Sequence, residues 1–478
     1  MTDYGRVRVG LLGVGLQAYW SQFTGLEQRL AGYIDELGRK IEGNRRTIIN
    51  FGLVDTPEKA TETGHACRRE DIDLLLIYIT TYALSASVLP IMLRVKAPVI
   101  LLNLQPDAAI DYRTLNAMSS ETEKTGEWLA YCSACPMPEI ANVLRRLDIP
   151  FQQITGIMHD GSDPCWTELD GWLCAAEVVY ALQHARLGLM GHYYGGMLDI
   201  STDLAQVSGR FGLHIEMLEV DELSSLRREV ADAAIDKKLA EFCRFFRIEE
   251  DCSDVELRRA ARTAAALDGF VEKNRLDLMA YYYKGTGIAE NEDTISSIIL
   301  GTSMLTGRHI PVAGEYEVKN AIAMKILDLL GAGGSFTEYY ANDLKDDLVL
   351  MGHDGPGHIG IAQDRIRVRP LRVYHGKVGN GLSVEMQVKY GPVTLLSIVE
   401  DKERGFRLLI AEGESVSGPI LEIGNTNSRY RFSLGARGFN EAWNAQGPAH
   451  HCAVGIGHIA DRLKKVASLL EMQALQIC

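Results

Sequence analysis

VRVGLLGVG (residues 7–15) reads as a buried parallel strand: it is apolar, nearly free of the alternation a half-solvated strand shows, and closed by two glycines. Three further runs of this kind follow, TIINFGLVD (47–55), DLLLIYITTY (73–82) and PVILLNLQ (98–105). Amphipathic helical patterns separate the first three, over 18–41 and over EKATETGHACRRE (58–70). Strands alternating with helices imply a doubly wound α/β layer. A second series starts near residue 151, with FQQITGIMHD (151–160) as a strand and a helix over 165–187. RLGLMGHYY (186–194) and GLHIEMLEV (212–220) continue it as strands, and 222–248 and 254–274 as helices. LDLMAYYY (276–283) and RHIPVAGE (308–315) complete it. From about 345 the pattern changes to short alternating runs, among them RIRVRPLRVYHG (365–376), GLSVEMQVKY (381–390), GPVTLLSIVE (391–400), FRLLIAEGE (406–414) and RYRFSL (429–434). These predict an antiparallel barrel-like domain, followed by a last helix over 455–472. The expected fold is therefore α/β: two doubly wound layers, 1–150 and 151–325, and a C-terminal antiparallel β-barrel-like domain, 326–478.

Composition limits the function. A chain of 478 residues can bury two or three cores. A net charge of −14 argues against nucleic acid or an anionic membrane as partner. No apolar run reaches the roughly 18 residues of a membrane-spanning helix. MTDYGRVRVGLLGVG (1–15) moves directly into a strand without a signal-peptide pattern, so a cytoplasmic location is expected. Nine irregularly spaced cysteines suit reduced thiols. Cys132-Ser-Ala-Cys135 has no second pair for a structural zinc site and no thioredoxin-like context.

Four runs concentrate carboxylates and imidazoles: AGEYEVKNA (313–321), GGSFTEYYAND (333–343), LVLMGHDGPGH (348–358) and GPAHHCAVGIGH (447–458). Glu315, Glu338, His353 and one of His450 and His451 make a full ligand set for a divalent metal of the manganese type. Each has a plain alternative. Glu315 stands where an acid complements a helix N-terminus, in a helix that GAGG (331–334) stops. Glu317 competes with it but lies about 200° around a helix, so the two are not expected to share one metal. Glu338 alone would be a solvated surface acid, and His358 rivals His353 within the same loop. On an extended chain His450 and His451 point to opposite faces, so one binds metal and the other is left for substrate or a carboxylate. Gly13-Val-Gly15-Leu-Gln-Ala18 matches GxGxxA, which raises an NAD(P)-dependent oxidoreductase as an alternative. Asp35 and Glu36 lie within the first helix, and Asp55 ends the second strand too late for the usual ribose acid. A non-catalytic sugar-binding protein is a second alternative, since α/β layers also build such binders.

The wording of the four runs resembles the L-arabinose isomerase family, within the arabinose/fucose isomerase group. EAWNAQGPAHHCAV (441–454) is similar to its Glu-Ala-Trp…Ala-His-His stretch, and VGLLGVGLQAYW (9–20) to its opening. The resemblance covers most of the chain and is densest over 310–455. It implies a metal-dependent aldose–ketose isomerase working through a cis-enediol, with Glu315 and Glu338 as proton carriers. It implies Glu315, Glu338, His353 and His451 as ligands of Mn²⁺, with Mg²⁺ or Co²⁺ as substitutes. Gln17, Met197 and His450 would contact a small neutral sugar, with no bound nucleotide cofactor. It further implies a homo-oligomer, a hexamer in the family, whose active sites a neighbouring subunit completes. The chain departs from the family pattern at Tyr131-Cys132-Ser133-Ala134-Cys135, where many members carry a substrate-serving Gln and His. After His353 it reads Asp-Gly-Pro-Gly-His in place of a more apolar run. The expected substrate is accordingly a sugar other than L-arabinose.

Overall fold

The computed structural model describes residues 4–371, 380–403 and 405–478. The chain divides into two compact units, Gly5–Tyr180 and Ala181–Cys478, the latter joined by the N-terminal residue Tyr4.

In the first unit, β1 (Val7–Val14), β2 (Arg46–Val54), β3 (Leu74–Ile79), β4 (Val99–Gln105) and β5 (Gln152–Ile157) form a sheet in the order β2-β1-β3-β4-β5. Every ladder is parallel. β3 is buried along its whole length, as its unbroken apolar run requires. The helix Leu26–Ile41 buries Leu26, Leu30, Ile34, Leu37 and Ile41, one face at helical spacing. Thr56 caps the next helix, Pro57–Arg69, by accepting from the Lys59 N–H, with proline in the first turn. One expectation changes. FQQITGIMHD supplies the fifth strand of this first sheet instead of opening a second layer, because its ladder forms with β4.

In the second unit, β6 (Arg186–Gly191), β7 (His214–Leu218), β9 (Leu278–Tyr282) and β10 (Val312–Ala313) form a parallel sheet ordered β10-β9-β6-β7. β11 (Ser335–Asp343), β12 (Leu348–His353), β15 (Gly391–Asp401), β16 (Gly405–Val416), β17 (Thr426–Phe432), β18 (His451–Ile456) and β19 (Gln473–Gln476) form a ring-like sheet ordered β15-β18-β11-β12-β17-β16-β19. β15 also pairs with β16, which joins the two arms. β19 lies parallel to β16, so the sheet is mixed where an antiparallel barrel was expected. RIRVRPL and GLSVE leave it altogether. β13 (Arg367–Leu371) pairs with β14 (Gly381–Glu385) on one side and with the two-residue β8 (Arg247–Ile248) on the other, in a separate sheet. The end of RIRVRPLRVYHG lies outside the described residues.

The helix Val318–Leu329 is buried from Val318 to Asp328 and packs against β9, β15 and β18. Its burial all round explains why it shows no polar stripe. Gly331, at φ +79°, ends it as GAGG suggests. Among the described residues no helix is long and apolar enough to cross a membrane.

Candidate metal centre

Three neighbouring strands of the ring-like sheet, β18, β11 and β12, carry three of the predicted ligands. Glu338 on β11 sits opposite His451, the first residue of β18, and opposite Gly352, just before His353 at the end of β12. Directly paired residues share a face, so the register alone brings Glu338 and His451 together. Glu315 arrives from β10 through a turn in which Glu315 and Tyr316 both have left-handed backbone, φ 57° and 64°. Such conformations cost a non-glycine residue about 1–3 kcal/mol each and gather at functional sites. The turn is held by the Tyr316 N–H on Tyr281 O at 3.0 Å and the Glu317 N–H on Gly314 O at 3.0 Å.

The ligand atoms of Glu315, His450 and His451 lie within 4.8 Å of one another, and so do those of Glu338, His353 and His451. His451 Nε2 is 3.3 Å from His353 Nε2 and 3.4 Å from Glu315 Oε2. His450 Nε2 is 3.9 Å from both Glu315 Oε2 and Glu338 Oε2. Each imidazole thus turns Nε2 inward and has a carboxylate near its Nδ1. Asp354 lies 3.3 Å from Nδ1 of His353, Asp199 2.6 Å from that of His450, and Glu317 3.7 Å from that of His451. Carboxylates behind the ring are the usual partners of metal-binding histidines, fixing ring orientation and raising basicity. This donor set, two carboxylates and imidazoles in a buried pocket, fits a divalent ion of the manganese type.

The electrostatics agree. Burial alone would lower the pKa of His451, but Glu315 and Glu317 beside its two nitrogens push it up to about 9. Burial raises the Glu338 carboxyl above its usual range, and Glu315 and Asp354 add to that against the opposing pull of His451 and His450. Burial would raise Asp199 too, yet the hydrogen bonds from His450 hold it below the ordinary carboxylate range.

Two readings rested on geometry that the structure replaces. Glu317 stays out of the cluster that holds Glu315, as expected, but not by helical spacing: the helix begins only at Val318, and the two carboxylates flank opposite nitrogens of the His451 ring. His450 and His451 were expected to face apart, but His450 precedes β18, and the two rings lie close, centroids 3.8 Å apart and tilted by 39°. His358 does not join the centre. It caps a short 3-10 turn, accepting from the Gly360 N–H, and its Nε2 lies 3.6 Å from Asp328. Met197 is half-buried in the loop after β6, two residues before Asp199. Gln17 is exposed in a 3-10 turn of the first unit. Sequence reasoning missed Asp199 and Asp354. Asp354 adjoins His353, a signal that could have been read; Asp199 is 251 residues from His450 and carries none.

The GxGxxA turn is built differently from a dinucleotide site. A 3-10 turn follows Gly15, and the first long helix begins only at Leu26. A Cβ on Gly13 would lie 2.4 Å from Ile34, and one on Gly15 2.9 Å from the Trp20 ring, so packing accounts for both glycines. Asp55 is occupied by the Trp20 indole N–H at 2.6 Å and Lys59 at 2.7 Å. All nine cysteines are free thiols, and burial together with Cys135 pushes the Cys132 thiol up to about 12, which makes it a poor nucleophile.

Comparison with known proteins gives a consistent picture. The profile of the L-arabinose isomerase C-terminal domain matches residues 333–473, the span that holds Glu338, His353, His450 and His451. An L-arabinose isomerase of Nocardioides sp. is 23% identical over 346 residues, 69% of this chain and 67% of its own. An L-arabinose isomerase of Vibrio parahaemolyticus is 20% identical over 460 residues, 90% of this chain and 86% of its own.

Proposed function

Because the chain belongs to the L-arabinose isomerase family, we propose that it is a divalent-metal-dependent aldose–ketose isomerase for a small neutral sugar. The observation that carries this reading is the convergence of Glu315, Glu338, His353, His450 and His451, each imidazole with a carboxylate behind it. Glu315, Glu338, His353 and His451 would hold Mn²⁺, or Mg²⁺ or Co²⁺ in its place; when bound, such an ion draws charge from two adjacent sugar oxygens.

The chain's own groups account for the proton traffic. Isomerisation moves a proton from C2 to C1 and shifts the carbonyl, through a cis-enediol. Glu315 and Glu338 are the groups able to take that proton and return it. Burial raises the pKa of Glu338, which suits it to take up a proton. His450 is the most exposed imidazole of the centre and is placed to meet a sugar hydroxyl.

The sugar itself follows from the departures in sequence. Cysteines stand where many family members carry a Gln and a His, replacing strong hydrogen-bonding groups by weak ones. A site built to bond a hydroxyl rejects an analogue lacking it by about 10⁴-fold. Losing such groups favours a smaller sugar or a deoxy sugar with an apolar end. Assembly into a homo-oligomer with sites completed by a neighbouring subunit goes with the family reading. The test is kcat/KM over tetroses, pentoses and 6-deoxyhexoses, with and without Mn²⁺. A maximum away from L-arabinose that depends on metal is expected. A clear maximum at L-arabinose overturns the substrate reading, and binding without conversion returns the protein to a sugar-binding role.

A further inference from the structure

His450 and His451 are adjacent but differently housed. The His451 side chain is sealed from solvent, whereas that of His450 is 37% exposed. Exposure normally leaves a side chain free to turn, but this ring is clamped. One oxygen of Asp199, Oδ2, accepts both the His450 backbone N–H at 2.9 Å and the ring Nδ1–H at 2.6 Å. Main chain and ring are therefore oriented by a single atom. Asp199 is itself anchored: Lys319, buried in the first turn of the helix after Glu315, donates Nζ to the carbonyls of Asp199 and Ser201, each at 2.9 Å. The segment that delivers Glu315 thus also delivers the anchor of the loop carrying Asp199. With Nδ1 held on Asp199, His450 leaves Nε2 for a ligand, 3.9 Å from both Glu315 and Glu338.

We propose that Asp199 is the positioning residue of this centre, holding His450 so that Nε2 accepts a hydrogen bond from a hydroxyl of the bound sugar. The inference rests on the isomerase reading, in which His450 serves the substrate and Glu315, Glu338, His353 and His451 serve the metal; what it adds is the residue that orients His450. Orientation of a reacting group is worth as much as its presence, since a displacement of about 1 Å can cost about 100-fold in rate. Loss of the Asp199 clamp should therefore fall on turnover and leave metal binding alone.

The test uses the full chain with Asp199→Ala and Asp199→Asn. Three readouts are compared with wild type: kcat and KM for the best aldose of the screen at saturating Mn²⁺, and the Mn²⁺ Kd of chelator-treated protein by calorimetry. For Asp199→Ala, kcat should fall by about tenfold or more while KM and the Mn²⁺ Kd stay within about twofold. Asp199→Asn keeps an oxygen able to accept both bonds and should lie between Ala and wild type. It carries the same test if the Ala variant does not fold. An Ala variant with wild-type kcat overturns the inference, as does an Asn variant no better than Ala. A loss of Mn²⁺ affinity in step with kcat also overturns it, by placing His450 among the metal ligands. A wild-type chain that converts no aldose overturns the isomerase reading and this inference with it. An active wild type with an indifferent Ala variant overturns the inference alone.

Discussion

Glu317→Gln removes a charge and keeps a volume, at a residue that touches the centre only through His451. Glu317 is fully buried, stands just before the helix Val318–Leu329, and lies 3.7 Å from His451 Nδ1. Neither of its carboxylate oxygens makes a hydrogen bond among the described residues, so its effect on the ring is electrostatic. Full charges at that separation, in an effective dielectric of about 20, would attract by about 4.5 kcal/mol, which is a ceiling. A metal-bound imidazole carries only part of a charge. Partners of this kind change metal affinity by about 10–100-fold, or about 1.4–2.7 kcal/mol, comfortably below the ceiling. We expect Glu317→Gln to weaken Mn²⁺ binding by that factor in calorimetric titration of chelator-treated protein. The pH dependence has a definite sign. Glu317 helps to push the His451 pKa up to about 9, so at pH 7 a proton competes with the metal more strongly in wild type than in the variant. The loss of affinity should therefore be larger at pH 9 than at pH 7. A Kd within about twofold of wild type at both pH values refutes the idea that Glu317 supports this ligand.

Three further outcomes follow from the same coordinates. Glu315→Gln and Glu338→Gln should each lower isomerisation by about 100-fold or more with the circular dichroism unchanged, and near wild-type turnover at saturating Mn²⁺ would remove that residue from catalysis. Asp328 is buried, accepts from His309 Nδ1 at 2.8 Å and lies near His358 and Lys325. Burial would raise its pKa, but these partners hold it lowered, so its stabilisation is present above the unfolded value and is lost as pH falls through the folded one. Asp328→Asn should cost about 3 kcal/mol in urea denaturation at pH 7, and the gap should narrow below about pH 4; a gap constant with pH contradicts this. Phe439 is fully buried and stacks on Phe432 with centroids 3.7 Å apart, fastening the helix Gly435–Asn444 to the ring-like sheet. Phe439→Ala should cost about 3–5 kcal/mol, and a loss below about 1 kcal/mol would mean that the helix is held elsewhere.

Much of this was legible in the order of residues. The runs at 7–15, 73–82 and 98–105 are inner strands of one parallel sheet, because continuous apolar character is a local signature of burial on both faces; that at 47–55 joins them as a less buried edge strand. Glu315, Glu338, His353 and His451 could be named because the runs around them resemble those of the L-arabinose isomerase family. Periodicity reports that a face is covered, however, and not by which neighbour. FQQITGIMHD was legible as a strand, but only its ladder with β4 assigned it to the first sheet. The runs at β13 and β14 alternate as well as those of the ring-like sheet, and only pairing with β8 set them apart. Angular rules hold only inside an element, so His450, one residue outside a strand, was misplaced by them, and Glu317, one residue outside a helix, is kept from the cluster by the turn and not by helical spacing. The clamp on His450 by Asp199 spans 251 residues. The chain by itself determined which donors are available and which segments bury them. Tertiary structure alone decided that Asp199 stands behind His450 and Glu317 behind His451, because proximity between distant segments leaves no trace in either segment's local pattern.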